Sequence, residues 1–205
     1  GFLGGGVKIS IPPRVLYASL GRSPDSEKAV PSDFKREGEG IYILGRTARE
    51  LAGSEAASEL GMNAGSVPRV DSSSANRRYA ALHKAIMKGL VSACHDLSDG
   101  GLAVALAEMA FGGRCGADVD ISVAPGMDIG MTVTEFLYSE SASRLLVTVP
   151  DKHRNAFEDL FEGQEFARIG ETTAGTDLVV RMGALALFSE PVEGLAAAFK
   201  ATLQW

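Results

Sequence analysis

The chain has 205 residues, 45% of them hydrophobic, enough for one domain with a buried core and too apolar for a disordered segment. Its net charge of −6 argues against nucleic acid as a partner, because an acidic surface repels phosphate backbones. No stretch approaches the roughly 20 apolar residues of a membrane span. The two cysteines, Cys94 and Cys115, form neither a CxxC pair nor a zinc-ligand cluster, a usage that fits a reducing cytoplasm.

The first six residues, Gly1-Phe2-Leu3-Gly4-Gly5-Gly6, have the composition of a flexible linker and resemble a cut end of a longer chain. Residues 1–12 are therefore expected to be an arm, and residues 13–205 the domain. Alternation over 7–11 predicts a strand, stopped by Pro12-Pro13. The Val, Leu and Tyr content of 15–20 predicts another, and 23–31 is turn-rich. Residues 41–45 form a short buried strand, and 51–60 read as a helix ending at Gly61.

The clearest helix spans 74–90, with Ser74 as its cap. Tyr79, Leu82, Ile86 and Leu90 make an apolar stripe, and Arg77, Arg78, Lys84 and Lys88 face water. A strand over 91–94 leads to a helix over 99–111 that buries Leu102, Leu106 and Met109. Further strands are expected at 119–123, 145–149, 166–169 and 178–182. Helices are expected at 133–138, at 151–161 with Asp151 as cap, and at 191–203 with Pro191 in the first turn. Strands without an intervening helix, such as the last two, argue against a purely parallel sheet. The fold class is α+β: a mixed, mainly antiparallel sheet with helices packed on it.

Three stretches carry possible chemistry. His95-Asp96-Leu97-Ser98-Asp99-Gly100-Gly101-Leu102 sits where a strand turns into a helix. Free N–H groups and a positive helix end suit an anion there, and two aspartates with a serine suit magnesium. The alternative is that Ser98 or Asp99 merely caps the helix. Ser139-Glu140-Ser141-Ala142-Ser143-Arg144 brings a carboxylate, three hydroxyls and a guanidinium together before a strand. They either read a phosphate or sugar, or form a polar loop in which Glu140 and Arg144 pair locally. Residues 45–55 leave a strand and enter a helix; they either bind phosphate, though without a P-loop pattern, or merely cap the helix through Ser54. His83 and His153 read as structural or surface residues, and no HExxH or GxSxG pattern marks a metalloprotease or serine hydrolase.

The run from His95 to Leu102, continued by Ala103-Val104-Ala105-Leu106-Ala107-Glu108-Met109-Ala110, resembles the second-half signature of the synthetase subunit of phosphoribosylformylglycinamidine synthase. Asp33-Phe34-Lys35-Arg36-Glu37-Gly38 and the segments 41–45, 50–55 and 139–144 agree in the family's order, so the similarity runs from about Ile9 to Val149 and more faintly onward.

That resemblance implies an AIR-synthase C-terminal-like domain, the last of four domains in the intact subunit. The family converts formylglycinamide ribonucleotide, ATP and glutamine-derived ammonia to the amidine, ADP and phosphate. Its catalytic histidine and most ATP and magnesium ligands lie in domains absent here, so this chain holds no catalytic residue, binds no cofactor tightly alone, and is inactive by itself. The implied partners are the remaining domains, a small PurS-like subunit and a glutaminase. The implied site residues are Asp96 toward metal, Ser98, Asp99, Gly100 and Gly101 toward nucleotide, and Glu140, Ser141 and Arg144 toward substrate.

Ala142 departs from the Gln of the first-half copy, and a methyl group cannot replace an amide's hydrogen bonds. Ala52 departs from the usual Gly. Both fit a pseudo-symmetric copy that keeps the fold without direct catalysis. A non-catalytic nucleotide-binding module is the alternative from another class. A selenophosphate synthetase, thiamine-phosphate kinase or hydrogenase maturation relative is the alternative within the superfamily. An apolar face left bare in a lone domain predicts self-association.

Overall fold

The computed structural model describes residues 2–3, 7–8, 16–21, 25–61, 65–127 and 130–201. Strands β1 (Phe2–Leu3) and β2 (Val7–Lys8) pair antiparallel, so Phe2 and Leu3 belong to a small ladder rather than to a featureless linker. Residues 16–20 are not a strand: Leu16, Tyr17 and Leu20 are exposed, and among the described residues no strand pairs with them. Val15 and residues 9–11 lie outside the described residues.

The main sheet holds β3 (Glu39–Leu44), β4 (Ala93–Asp96), β5 (Gly116–Asp120), β6 (Leu145–Pro150), β7 (Phe166–Thr173), β8 (Asp177–Met182) and β9 (Leu185–Pro191), in the order β4-β6-β3-β7-β5-β8-β9. Every pairing is antiparallel except β5 with β8. β7 and β8 are not neighbours, because β5 lies between them. β9 is absent from the sequence reading. It turns back on β8 at Gly183, whose φ of 60° needs no Cβ.

Helices cover both faces of the central strands. β3 alternates accordingly: Ile41 and Ile43 face a core shared with α3 (Gly101–Gly113), α4 (Val133–Tyr138) and α6 (Val192–Ala201). Tyr42 and Leu44 face α2 (Ser72–Met87) and α5 (Arg154–Glu158). Each fully buried Leu, Ile or Phe contributes about 1.5–3 kcal/mol, which makes β3 the centre of the domain. Among the described residues, no helix is long and apolar enough to cross a membrane.

Local chemistry moves several helix ends from their expected places. Helix α1 (Glu55–Glu59) is shorter than 51–60, because Gly53 takes φ +88° and Ser54 caps the helix through its Oγ. α2 is capped by Asp71, not Ser74, and its inner face is Ala75, Arg78, Ala81, Leu82 and Ala85. Arg78 is therefore buried rather than wet, and Tyr79 is 45% exposed. Asp151 caps nothing: the segment splits into 3-10 turns around α5. Pro191 ends β9 instead of starting α6, and Leu203 lies outside the described residues.

Candidate functional site

The three stretches singled out in the sequence converge on one assembly at the end of β4 and the start of β6. Ser139 to Arg144 lead from α4 into β6. This loop is tied to the strand-to-helix turn that starts α3: Leu97 N–H donates to Arg144 O at 3.2 Å, and Gly100 N–H donates to Glu140 Oε1 at 2.9 Å. On its other side it is tied to residues 47–50. Ser141 Oγ accepts from Ala48 N at 2.9 Å and donates to Ala48 O at 3.2 Å. Glu140 N–H donates to Glu50 O at 2.9 Å.

These contacts replace both local readings. Neither Ser98 nor Asp99 caps α3; the cap position is Gly100, in the left-handed region at φ 76°, and a distant carboxylate accepts its N–H. Gly101 permits the approach: a Cβ there would sit 2.4 Å from Ser139 O. Glu140 does not pair with Arg144. The Arg144 side chain is 1% exposed. Its Nε donates to Ser141 O at 2.9 Å, its Nη1 to Thr47 Oγ1 at 3.0 Å, and its Nη2 to Ser139 O. Burial pushes this guanidinium down to about 10 against the pull of Glu50 and Glu140, so it is still a cation at neutral pH. Each of its nitrogens holds the loop in shape.

The outer side of the turn presents Asp96, Ser98 and Asp99, all exposed. Ser98 Oγ donates to Asp96 Oδ2. His95 lies between the Asp96 carbonyl, 2.6 Å from Nδ1, and Glu108, 3.2 Å from Nε2. With Gly101 these residues border an open recess of about 210 Å³. Magnesium is commonly held by one or two carboxylates plus water and phosphate oxygens. Asp96, with its side chain 69% exposed, suits one such ligand. Among the described residues no three His, Cys, Asp or Glu groups are placed to hold a metal ion. Cysteine chemistry is also suppressed: burial raises Cys94 to about 11 and pushes Cys115 upward.

The sequence reading thus places Asp96, Ser98, Asp99, Gly100 and Gly101 on one turn and Glu140, Ser141 and Arg144 on the loop behind it. It misses Thr47 and Glu50 as the loop's anchors. Both lay inside the 45–55 stretch, but a buried hydroxyl and a carboxylate with long-range partners leave no local periodicity.

A family model for the AIR synthase related protein, C-terminal domain, matches residues 36–183, well over half of the chain and all of this assembly. The chain belongs to this family. Among curated relatives of this AIR synthase related domain, the phosphoribosylformylglycinamidine synthase subunit PurL of Thermococcus sibiricus is 40% identical over 163 residues, 80% of this chain and 22% of that protein. The subunit of the same name from Leifsonia xyli is 36% identical over 201 residues, 95% of this chain and 26% of that protein. The chain spans about a quarter of the length of these relatives.

Among solved structures, Thermotoga maritima PurL complexed with FGAR matches with a TM-score of 0.74 at 24% identity, over 83% of this chain and 30% of that one. A chain of a HypE–HypF complex matches with a TM-score of 0.59 at 15% identity, over 79% of this chain and 54% of that one. Both likenesses are of fold, and they support the mixed, mainly antiparallel sheet with packed helices.

Proposed function

We propose that this domain is the C-terminal part of a phosphoribosylformylglycinamidine synthase, the ATP-dependent ligase that converts formylglycinamide ribonucleotide and glutamine-derived ammonia to the amidine, ADP and phosphate. The observation that carries this reading is the 36% identity to a named PurL subunit over 95% of the chain. The domain supports a composite active site and does not turn over substrate alone. Within it, the turn carrying Asp96, Ser98, Asp99, Gly100 and Gly101 faces magnesium and nucleotide, with Asp96 offering one carboxylate. Glu140, Ser141 and Arg144 act toward substrate through the loop they shape. The burial of Arg144 and the methyl group of Ala142 support an indirect role.

The remaining synthetase domains, a small PurS-like subunit and a glutaminase complete the enzyme in the cytoplasm. A PurLQS structure from Thermotoga maritima, matching at a TM-score of 0.69, supports an assembly of this kind. The test is complementation. The chain alone forms no amidine from formylglycinamide ribonucleotide, ATP and ammonia, and activity returns when the missing N-terminal part is supplied. Robust turnover by the chain alone would overturn the reading. Separated from its partners, the domain self-associates, and a monomeric sedimentation profile at high concentration would speak against this.

A further inference from the structure

Helix α3 is apolar around its whole circumference. Its core side is Leu102, Ala105, Leu106, Met109 and Ala110, all buried. Its outer stripe is Ala103, Val104, Ala107 and Phe111, all half-buried, and Glu108 is its single charged side chain. A helix of this kind is expected to be covered on every side. α6 covers the outer stripe incompletely. It buries Val192, half-buries Leu195 and leaves Phe199 56% exposed, with its ring 5.0 Å from that of Phe111. Between α3, α6 and the β8–β9 edge of the sheet lies a cavity of about 400 Å³. Phe188, Glu190, Leu195 and Phe199 form one side of it, and all four follow residue 183, where the family match ends.

Two carboxylates border this apolar space. Glu190 pairs with Leu178 and Phe188 with Val180, and both β8 residues are buried in the core, so Glu190 and Phe188 lie on the inner face of β9. Among the described residues the Glu190 carboxylate has neither an ion pair nor a hydrogen bond, and the Tyr138 hydroxyl in the wall has no hydrogen bond. Glu108 enters from α3, with its Oε2 3.2 Å from His95 Nε2, and it divides this cavity from the recess at the turn. No lysine or arginine lines the wall among the described residues; Lys200, next to Phe199, is exposed and stands outside it. The faces of Phe111, Phe188 and Phe199 carry negative potential, which favours a cation, as the carboxylates do. The volume is that of a site for one small molecule, within the range of roughly 300–1,000 Å³. Phe199 alone of the wall is a strongly exposed large apolar side chain, so the cavity is not part of the broad face, about 800 Å² per partner, that a protein interface uses.

We infer that this cavity binds a small aromatic amine in its protonated form, with the ring among Phe111, Phe188 and Phe199 and the ammonium group toward Glu190 and Glu108. The site is read from its own walls and does not depend on the synthase reading.

The test is calorimetric titration of the 205-residue chain with three probes of one shape: tryptamine, uncharged 3-methylindole and anionic indole-3-propionate. Tryptamine binds saturably and raises the melting temperature. Uncharged 3-methylindole binds about tenfold more weakly, the loss of the ammonium contacts, and indole-3-propionate does not bind. Added salt weakens tryptamine and leaves 3-methylindole unchanged. Glu190→Gln, at an exposed position, removes the advantage of tryptamine over 3-methylindole. Phe199→Ala, also exposed, weakens both by about tenfold through the lost ring contacts. Ala107→Trp fills the cavity and abolishes binding, and if that variant fails to fold the other two still decide. Equal binding of tryptamine and indole-3-propionate, or tryptamine binding unchanged in Glu190→Gln and Phe199→Ala, overturns the proposal. So does a Trp-Lys peptide that binds where tryptamine does not, since the occupant is then a polypeptide.

Discussion

Glu140 caps helix α3 from 40 residues away, its Oε1 accepting the Gly100 N–H at 2.9 Å. A carboxylate at a helix N-terminus gains both from the hydrogen bond and from the helix dipole. The contact also locks two motifs into one unit, so a change in one is felt in the other. Glu140→Ala is expected to destabilise the domain by about 1–2 kcal/mol, and Glu140→Gln by less, since an amide oxygen still accepts. Urea unfolding checks both. Amide exchange at Gly100 should accelerate in the alanine variant ahead of the sheet.

Gly101 is required for a different reason. A Cβ would lie 2.4 Å from Ser139 O and 2.8 Å from Leu137 O, both backbone atoms, at a φ of +61°. Gly101→Ala should therefore cost more than about 3 kcal/mol, well above the roughly 1–2 kcal/mol of left-handed strain alone. Gly38→Ala is the control: φ is +76° there, with nothing within 4 Å of the added carbon. Chemical denaturation of the pair separates collision from strain. Equal losses would mean that the approach of α3 to the loop is not what Gly101 provides.

The elements read best from sequence are those whose limits are written locally. Residues 133–138 were expected as a helix and are one, fixed by the capping box of Thr132 and Glu135. The apolar run before Pro150 is β6, buried against both cores. The errors share a cause in long-range partners. Residues 16–20 have strand composition and, among the described residues, no strand to pair with. Arg78 sits between arginine and tyrosine on a polar-looking helix, but the loop before β6 packs over it. The site motifs were recognisable from residue order, whereas their union was not, because Glu140–Gly100 and Arg144–Thr47 join residues remote in the chain.

Arg144 and Thr47 test how much the loop depends on its internal cation. Arg144 is enclosed, and its planar fork meets three acceptors on two segments. Lysine cannot reproduce that fork, and the acceptors would be left buried without donors. Arg144→Lys is expected to lose about 3 kcal/mol or more, and Arg144→Met at least as much. Thr47→Val keeps the shape and removes one acceptor, for a loss of about 1–2 kcal/mol. The double variant Thr47→Val with Arg144→Lys should cost less than the sum, since the two residues share one bond. Additive losses in denaturant midpoints would show that they act separately.

The far end of the sheet carries an acid-sensitive contact. Asp120 Oδ1 accepts from Ser122 N and Gly183 N, each at 2.9 Å, and Oδ2 accepts from Arg181 Nη1 at 2.9 Å. Burial alone pushes this carboxyl up, but the hydrogen bonds from Ser122 and Gly183 and the charge of Arg181 outweigh it, holding the pKa at about 2 against an ordinary 3.8. Between those values the unfolded chain binds more protons than the folded one, so stability rises with pH there. The contribution is present above an ordinary carboxylate pKa and is lost as pH falls toward about 2. Asp120→Asn lacks this titration. The stability difference between wild type and variant should be largest at pH 5 and shrink steadily on acidification to pH 2, read by urea unfolding at each pH. A difference that stays constant across this range would remove Asp120 as the origin of the acid sensitivity, leaving its neutral hydrogen bonds as the whole of its role at the β5–β8 junction.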